Sequence, residues 1–214
     1  MLAGIDNLGT FVAAGLVLNL LPGPDNFYIV GRGLAQGRKA AVLSAVGIAL
    51  GSLSHTVLAA LGLSAVLAQS ALAFTIVKWV GALYLVWLGW GLLRQTAAQP
   101  DFSVDPAVSG RRILWQGWLT NLLNPKVALF FLAFLPQFID AKVANGPLPF
   151  LLLGTLFTVN GLIWCLMLAF FSAEMGRYLR RSQTLARWLN RLTGWMFIGL
   201  AVNLLRTNLK HSAG

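Results

Sequence analysis

Two short stretches place an ionisable side chain beside proline inside an apolar run, and both suit the binding of a small charged solute. The first is Leu21-Pro22-Gly23-Pro24-Asp25-Asn26. Proline has no amide hydrogen and its ring clashes with the preceding turn, so Pro22 and Pro24 around Gly23 break a helix there. Backbone groups freed at such a break need partners, and within lipid they survive only when buried in protein or lining a wet cavity. Residues after Pro24 can start a second half-helix whose amide dipoles point into the break, an end that suits a carboxylate. Asp25 follows at once. An acid within a spanning segment marks a functional site by default, and Asp is also a favoured cap for the half-helix that follows.

The second stretch is Asn121-Leu122-Leu123-Asn124-Pro125-Lys126, with Gln116 and Thr120 one and two turns earlier. Asn121 and Asn124 are three apart and share a helix face. Lys126 has three available roles: pairing with Asp25, binding a substrate carboxylate, or snorkelling to an interface. His55, between Ser54 and Thr56, could relay protons or hydrogen-bond between helices as a neutral ring. Ser52 and Ser54 are read as satisfying backbone, and Asn160 and Asn203 as interhelical hydrogen-bonders. Gly47 and Gly51 form a G-x-x-x-G that permits close helix approach, within the chain or between subunits.

These residues must be positioned by membrane helices. Apolar residues make up 57% of the 214-residue chain and charged residues only 10%, against about 25% in a soluble domain. Mean hydropathy is +0.74. So few charges cannot cover a soluble surface, whereas lipid-facing positions should be apolar. The net charge of +10 does not indicate nucleic acid, because the basic residues lie in short runs between apolar segments. Cys165, the single cysteine, lies in an apolar run and reads as a small buried hydrophobe, which excludes a disulfide framework. The segment from Met1 to Thr10 lacks a basic n-region and is expected to lead straight into a helix.

A span needs about 20 largely apolar residues, and six segments qualify: about 7–34, 40–68, 72–93, 113–138, 148–172 and 192–209. The first is interrupted at Pro22-Gly23-Pro24 and the fourth at Asn124-Pro125. Loops one, three and five carry Arg32, Arg38, Lys39, Arg94, Arg111, Arg112, Arg177, Arg180, Arg181, Arg187 and Arg191, most of the chain's 16 basic residues. Positive-inside bias places those loops in the cytoplasm and the N-terminus in the periplasm; Arg206 and Lys210 dissent. Lys78 and Trp79 read as interfacial anchors in the span that also holds Tyr84, and the basic stretch from Arg177 to Arg191 as a surface anchor on anionic lipid.

The expected fold is an all-α integral membrane protein in one domain, residues 1–214. Each half (about 1–98 and 108–210) holds three spans and opens with a broken helix. Three is odd, so the second half inserts upside down, the inverted-repeat arrangement of many secondary transporters. Leu92-Leu93-Arg94 closing one half recurs as Leu204-Leu205-Arg206 closing the other.

The chain resembles the LysE/RhtB family of amino-acid exporters, nearest its homoserine/threonine-efflux branch. The match is carried by Pro22 to Asn26, by Gly47-Ile48-Ala49-Leu50-Gly51 leading to His55, and by Gly81 through Tyr84 to Gly89. It continues in Asn121 to Lys126, running on to Phe134-Leu135-Pro136-Gln137-Phe138. The resemblance implies a proton-driven antiporter exporting amino acids or close analogues from the bacterial cytoplasm across the inner membrane. With Asp25 the one clear membrane acid, a neutral amino acid is the expected substrate. The substrate-binding or coupling residues are then Pro22, Gly23, Pro24, Asp25, Asn26, His55, Asn121, Asn124, Pro125 and Lys126, with the substrate carboxylate expected at the half-helix amides and Lys126, and its ammonium toward Asp25 and the Asn121 and Asn124 carbonyls. No cofactor, catalytic set or metal site is expected, and the partners are the amino acid, protons and lipid. A homodimer is compatible with the sequence, which does not count subunits. The competing reading is a metal-ion or lipid-linked substrate transporter of related architecture; an ATP-binding loop is absent.

Overall fold

A computed structural model describes residues 4–65, 108–139 and 146–172, with Ile76, Trp79, Leu83, Val86, Trp87, Trp90, Leu93, Arg94, Trp188, Arg191, Trp195, Ile198, Gly199 and Val202. The molecule is an all-α membrane protein, as its composition demands. Helix α1 (Leu8–Leu20) ends at Leu21, and α2 (Pro24–Gln36) leaves it at 48°. Helix α3 (Arg38–Leu58) runs on through a π-helical turn, Ala59–Leu63. Helix α4 (Gly110–Leu122) is followed by α5 (Pro125–Leu129), which continues through a π turn (Phe130–Phe134) and a 3-10 turn (Leu135–Phe138). That pair is bent by 47°. Helix α6 (Leu148–Phe170) runs unbroken.

Helix α3 with its π turn, α6, and each of the bent pairs are long and apolar enough to cross a bilayer. The first, second, fourth and fifth expected spans are therefore found, and the first and fourth are broken where the prolines required. The third and sixth lie largely outside the described residues, as do Lys78, Tyr84, Asn203, Arg206, Lys210 and the basic run 177–187. Their described positions Ile76, Trp79, Leu83, Trp87 and Trp90, and likewise Trp188, Trp195 and Val202, are helical and exposed.

Helix α3 lies at the centre, between α4 and α6. It runs parallel to α4, and glycines let the two backbones meet. A methyl at Gly47 would overlap the Leu114 carbonyl, one at Gly51 would come within 2.7 Å of Asn121 Cβ, and one at Gly117 within 2.9 Å of the Ser44 carbonyl. The G-x-x-x-G contact is thus internal to the chain. Against α6 the packing is antiparallel, with Ser52 bonded to Thr158 at 2.8 Å and Gly154 seated on Thr56.

These directions place the chain ends of the helices. Gln36 donates to the Val108 carbonyl at 2.8 Å and Arg38 lies over the Phe170 ring, so residues 36–39, 108–112 and 170–172 share one end, where Arg38, Lys39, Arg111 and Arg112 are exposed. At the other end Ile5 pairs with Ile139, and Asp6 donates its amide to the Phe138 carbonyl. Next to that end Phe11, Phe130, Phe131, Phe134, Phe138 and Phe157 form a buried aromatic cluster, with Phe130 stacked on Phe157 at 4.3 Å.

One loop assignment needs correction. Arg32 is not a loop residue: it lies in α2 at 3% exposure. Its guanidinium donates to Gln36 at 2.9 Å and Gln116 at 2.7 Å, while Tyr28 donates its hydroxyl to the Ile113 carbonyl. A run of exposed Lys and Arg reports topology, but a guanidinium with amide oxygens in reach can be buried instead.

Candidate substrate site

The two breaks face each other. In α1 the carbonyl of Leu18 would normally accept from residue 22, but Pro22 has no amide hydrogen. Lys126 fills that place, donating from Nζ to the Leu18 carbonyl at 3.1 Å and the Leu21 carbonyl at 3.0 Å. A cation on the last-turn carbonyls also opposes the negative end of the α1 dipole. Asn26 completes the cap, donating Nδ2 to the carbonyls of Leu21 (3.1 Å) and Asn19 (3.3 Å). Gly23 gives the ammonium its room, since a methyl there would sit 3.2 Å from Nζ. Its backbone is extended, at φ −161°.

The second break repeats the arrangement. Asn121 lies four residues before Pro125, so its carbonyl loses its usual donor and accepts instead from the Asn124 amide at 3.0 Å. His55 Nε2 meets that carbonyl at 3.3 Å, with the ring stacked on Phe131. Asn124 caps α5, its side-chain oxygen accepting from the Lys126 amide at 3.0 Å. His55 is thereby a hydrogen-bonder between helices, and Lys126 neither snorkels to an interface nor spends its reach on Asp25.

Asp25 sits in the first turn of α2, 6% exposed. Asn121 Nδ2 donates to its Oδ2 at 2.8 Å, joining the two breaks directly. Asp25 Oδ1, by contrast, is buried with no hydrogen-bond partner, and so are Asn121 Oδ1, Asn19 Nδ2 and Trp164 Nε1. Buried polar groups are ordinarily paired, and leaving one unpaired costs about 1–3 kcal/mol. All four residues line one narrow cavity enclosed by α1, α2, α3, α4, α5 and α6. Ile48, Ala49, Val127, Phe157 and Leu162 form its apolar wall.

Among the expected site residues, Asp25, Asn26, Asn121 and Lys126 line this cavity. Pro22, Gly23, Pro24, Asn124, Pro125 and His55 set the breaks that hold those four in place. Sequence reasoning missed Asn19, Trp164, Ser52 and Thr158 as lining residues. The signal for Asn19 was available, as a lone amide in the last turn of an apolar helix. Trp164 carried none, because an aromatic in a span is ordinarily packing or lipid contact. No group of three or more His, Cys, Asp or Glu that could hold a metal ion occurs among the described residues.

Spanning helices broken at mid-course around a small, mainly apolar cavity with a few convergent polar groups define a membrane carrier. The model of the LysE type translocators matches residues 16–208, and the chain belongs to that family. It is 36% identical over 195 residues to an uncharacterised membrane protein of Vibrio cholerae, covering 91% of this chain and 94% of that one. It is 32% identical to a leucine efflux protein of an Enterobacter species (94% and 96% covered). A leucine efflux protein of Klebsiella pneumoniae is 31% identical, at 94% and 95%. No solved structure matches the chain significantly.

Proposed function

We infer that this protein exports neutral aliphatic amino acids from the bacterial cytoplasm across the inner membrane, by alternating access driven by proton entry. The observation that carries the reading is the pair of unpartnered acceptors, Asp25 Oδ1 and Asn121 Oδ1, in a cavity that also offers unpartnered donors. A zwitterion is the small solute that needs both kinds of group at once. The apolar wall suits an uncharged side chain, in keeping with relatives named leucine efflux proteins.

In this mechanism the substrate ammonium takes Asp25 Oδ1 and Asn121 Oδ1. Protonation of Asp25 from the periplasmic side removes the charge that holds the ammonium, and the amino acid leaves. Deprotonation to the cytoplasm resets the site. The bent pairs α1–α2 and α4–α5 open the halves of an inverted repeat, about 1–98 and 108–210, that rock about the cavity. Loops one, three and five face the cytoplasm and the N-terminus the periplasm, which the exposed Arg38, Lys39, Arg111 and Arg112 at one end support.

The test is efflux from cells preloaded with labelled amino acids, with and without the protein and with the proton gradient collapsed in parallel. Faster loss of leucine-like amino acids, abolished by collapse, is the expected result. No difference for any amino acid would move the assignment to a metal or lipid-linked substrate.

A further inference from the structure

Lys126 is the residue whose charge most invites a substrate carboxylate, yet two of its three ammonium hydrogens already serve the Leu18 and Leu21 carbonyls. That leaves one hydrogen, and drawing the ammonium onto a substrate would pull it from the α1 carbonyls it now serves. The cavity offers other donors. Asn19 Nδ2, from the last turn of α1, and Trp164 Nε1, from the C-terminal half of α6, are both buried and both lack a partner. Both residues line the cavity that holds the unpartnered oxygens of Asp25 and Asn121.

We propose that Asn19 and Trp164 form the carboxylate subsite of this cavity, opposite an ammonium subsite made by Asp25 and Asn121. The proposal rests on the exporter reading and adds which residues recognise the acid end of the substrate. On the residues lining the cavity the unpartnered atoms divide by chemistry in the way a zwitterion requires: two oxygens that can only accept, and two N–H groups that can only donate. Asn19 lies against Gly161 of α6, where even an added methyl would stand at ordinary contact distance, 3.4 Å from Asn19 Nδ2. Neutral donors also suit an exporter. They recognise a carboxylate through charge-assisted bonds without the full attraction of a cation, so the substrate can leave once its ammonium is released.

The consequence is a requirement for the free carboxylate that resides in α1 and α6. The experiment is competition against labelled leucine transport by leucine, by leucinamide, which lacks the carboxylate charge, and by 3-methylbutylamine, which lacks the group altogether. Wild type, Trp164→Phe and Asn19→Leu are compared by the ratio of inhibition constants within each protein, a quantity independent of how much of a variant is folded. Wild type should prefer leucine over both analogues by at least about tenfold, and each variant should lose about tenfold of that preference, as expected for one hydrogen bond to a charged group. A wild type that takes leucinamide and the amine as readily as leucine overturns the carboxylate assignment. So do variants that keep the wild-type ratio. A wild type that moves no amino acid overturns the exporter reading itself, and this one with it.

Discussion

The two helix breaks use one device with opposite charges. Gly23-Pro24-Asp25 and Asn124-Pro125-Lys126 each place a cap residue, a proline in the first helical position and an ionisable residue in the second. The bends are 48° and 47°. At each break a proline strips a carbonyl of its usual donor; Lys126 takes that place at Leu18, whereas at Asn121 the Asn124 amide takes it and His55 adds a second contact. The difference lies in what each charge is left to do. The Lys126 ammonium is tied to backbone across the interface, while Asp25 keeps one oxygen without a partner. The positive residue holds the two breaks together, while the negative one keeps an oxygen free in the cavity-lining position. Two breaks of the same construction thus leave their charged residues in different states of pairing.

The comparison can be broken most sharply at Lys126. Lys126→Met removes two charge-assisted bonds to buried carbonyls and should lower stability by about 3 kcal/mol or more, read as earlier thermal unfolding in detergent, with transport lost as well. Asp25→Asn should separate the two roles: the amide still meets Asn121 and the fold survives, while proton-driven efflux falls by about a hundredfold. If Asp25→Asn unfolds as readily as Lys126→Met, the division of labour is wrong. Gly51→Ala should cost about 1–3 kcal/mol by overpacking, because its methyl meets the rigid Asn121 Cβ. Gly23→Ala should cost less, because its methyl meets the movable end of Lys126. Unfolding midpoints of the two purified variants decide that order. The smallest effect is expected at His55. His55→Phe should lower stability by about 1 kcal/mol, for one neutral hydrogen bond, and leave the pH dependence of transport unchanged. A displaced pH profile would show that His55 carries protons.

Much of the fold was legible because the bilayer imposes it locally. Length, apolar content and the lack of an amide hydrogen at Pro22, Pro24 and Pro125 are properties of single segments, so four of the spans and both interruptions could be read directly. Asp25, Asn121 and Asn124 were legible for a related reason, since polar groups in apolar runs must find partners. Arg32 misled because its exposure depends on Gln36 and Gln116, and Gln116 lies 84 positions away. The G-x-x-x-G of Gly47 and Gly51 was readable as a close contact, but its partner, α4, was not.

What the sequence determined by itself is therefore the membrane, the helices, their breaks and the rarity of charge inside them, all consequences of backbone chemistry in a solvent without water. Only the tertiary structure decided how the charges are used. It brings Lys126 onto carbonyls more than a hundred positions away, sets Asn121 on Asp25, and leaves Asn19 and Trp164, both lining one cavity, with unpartnered N–H groups. Whether a polar atom is satisfied or waiting for a ligand depends on which distant group lies within about 3 Å, and no local pattern contains that distance.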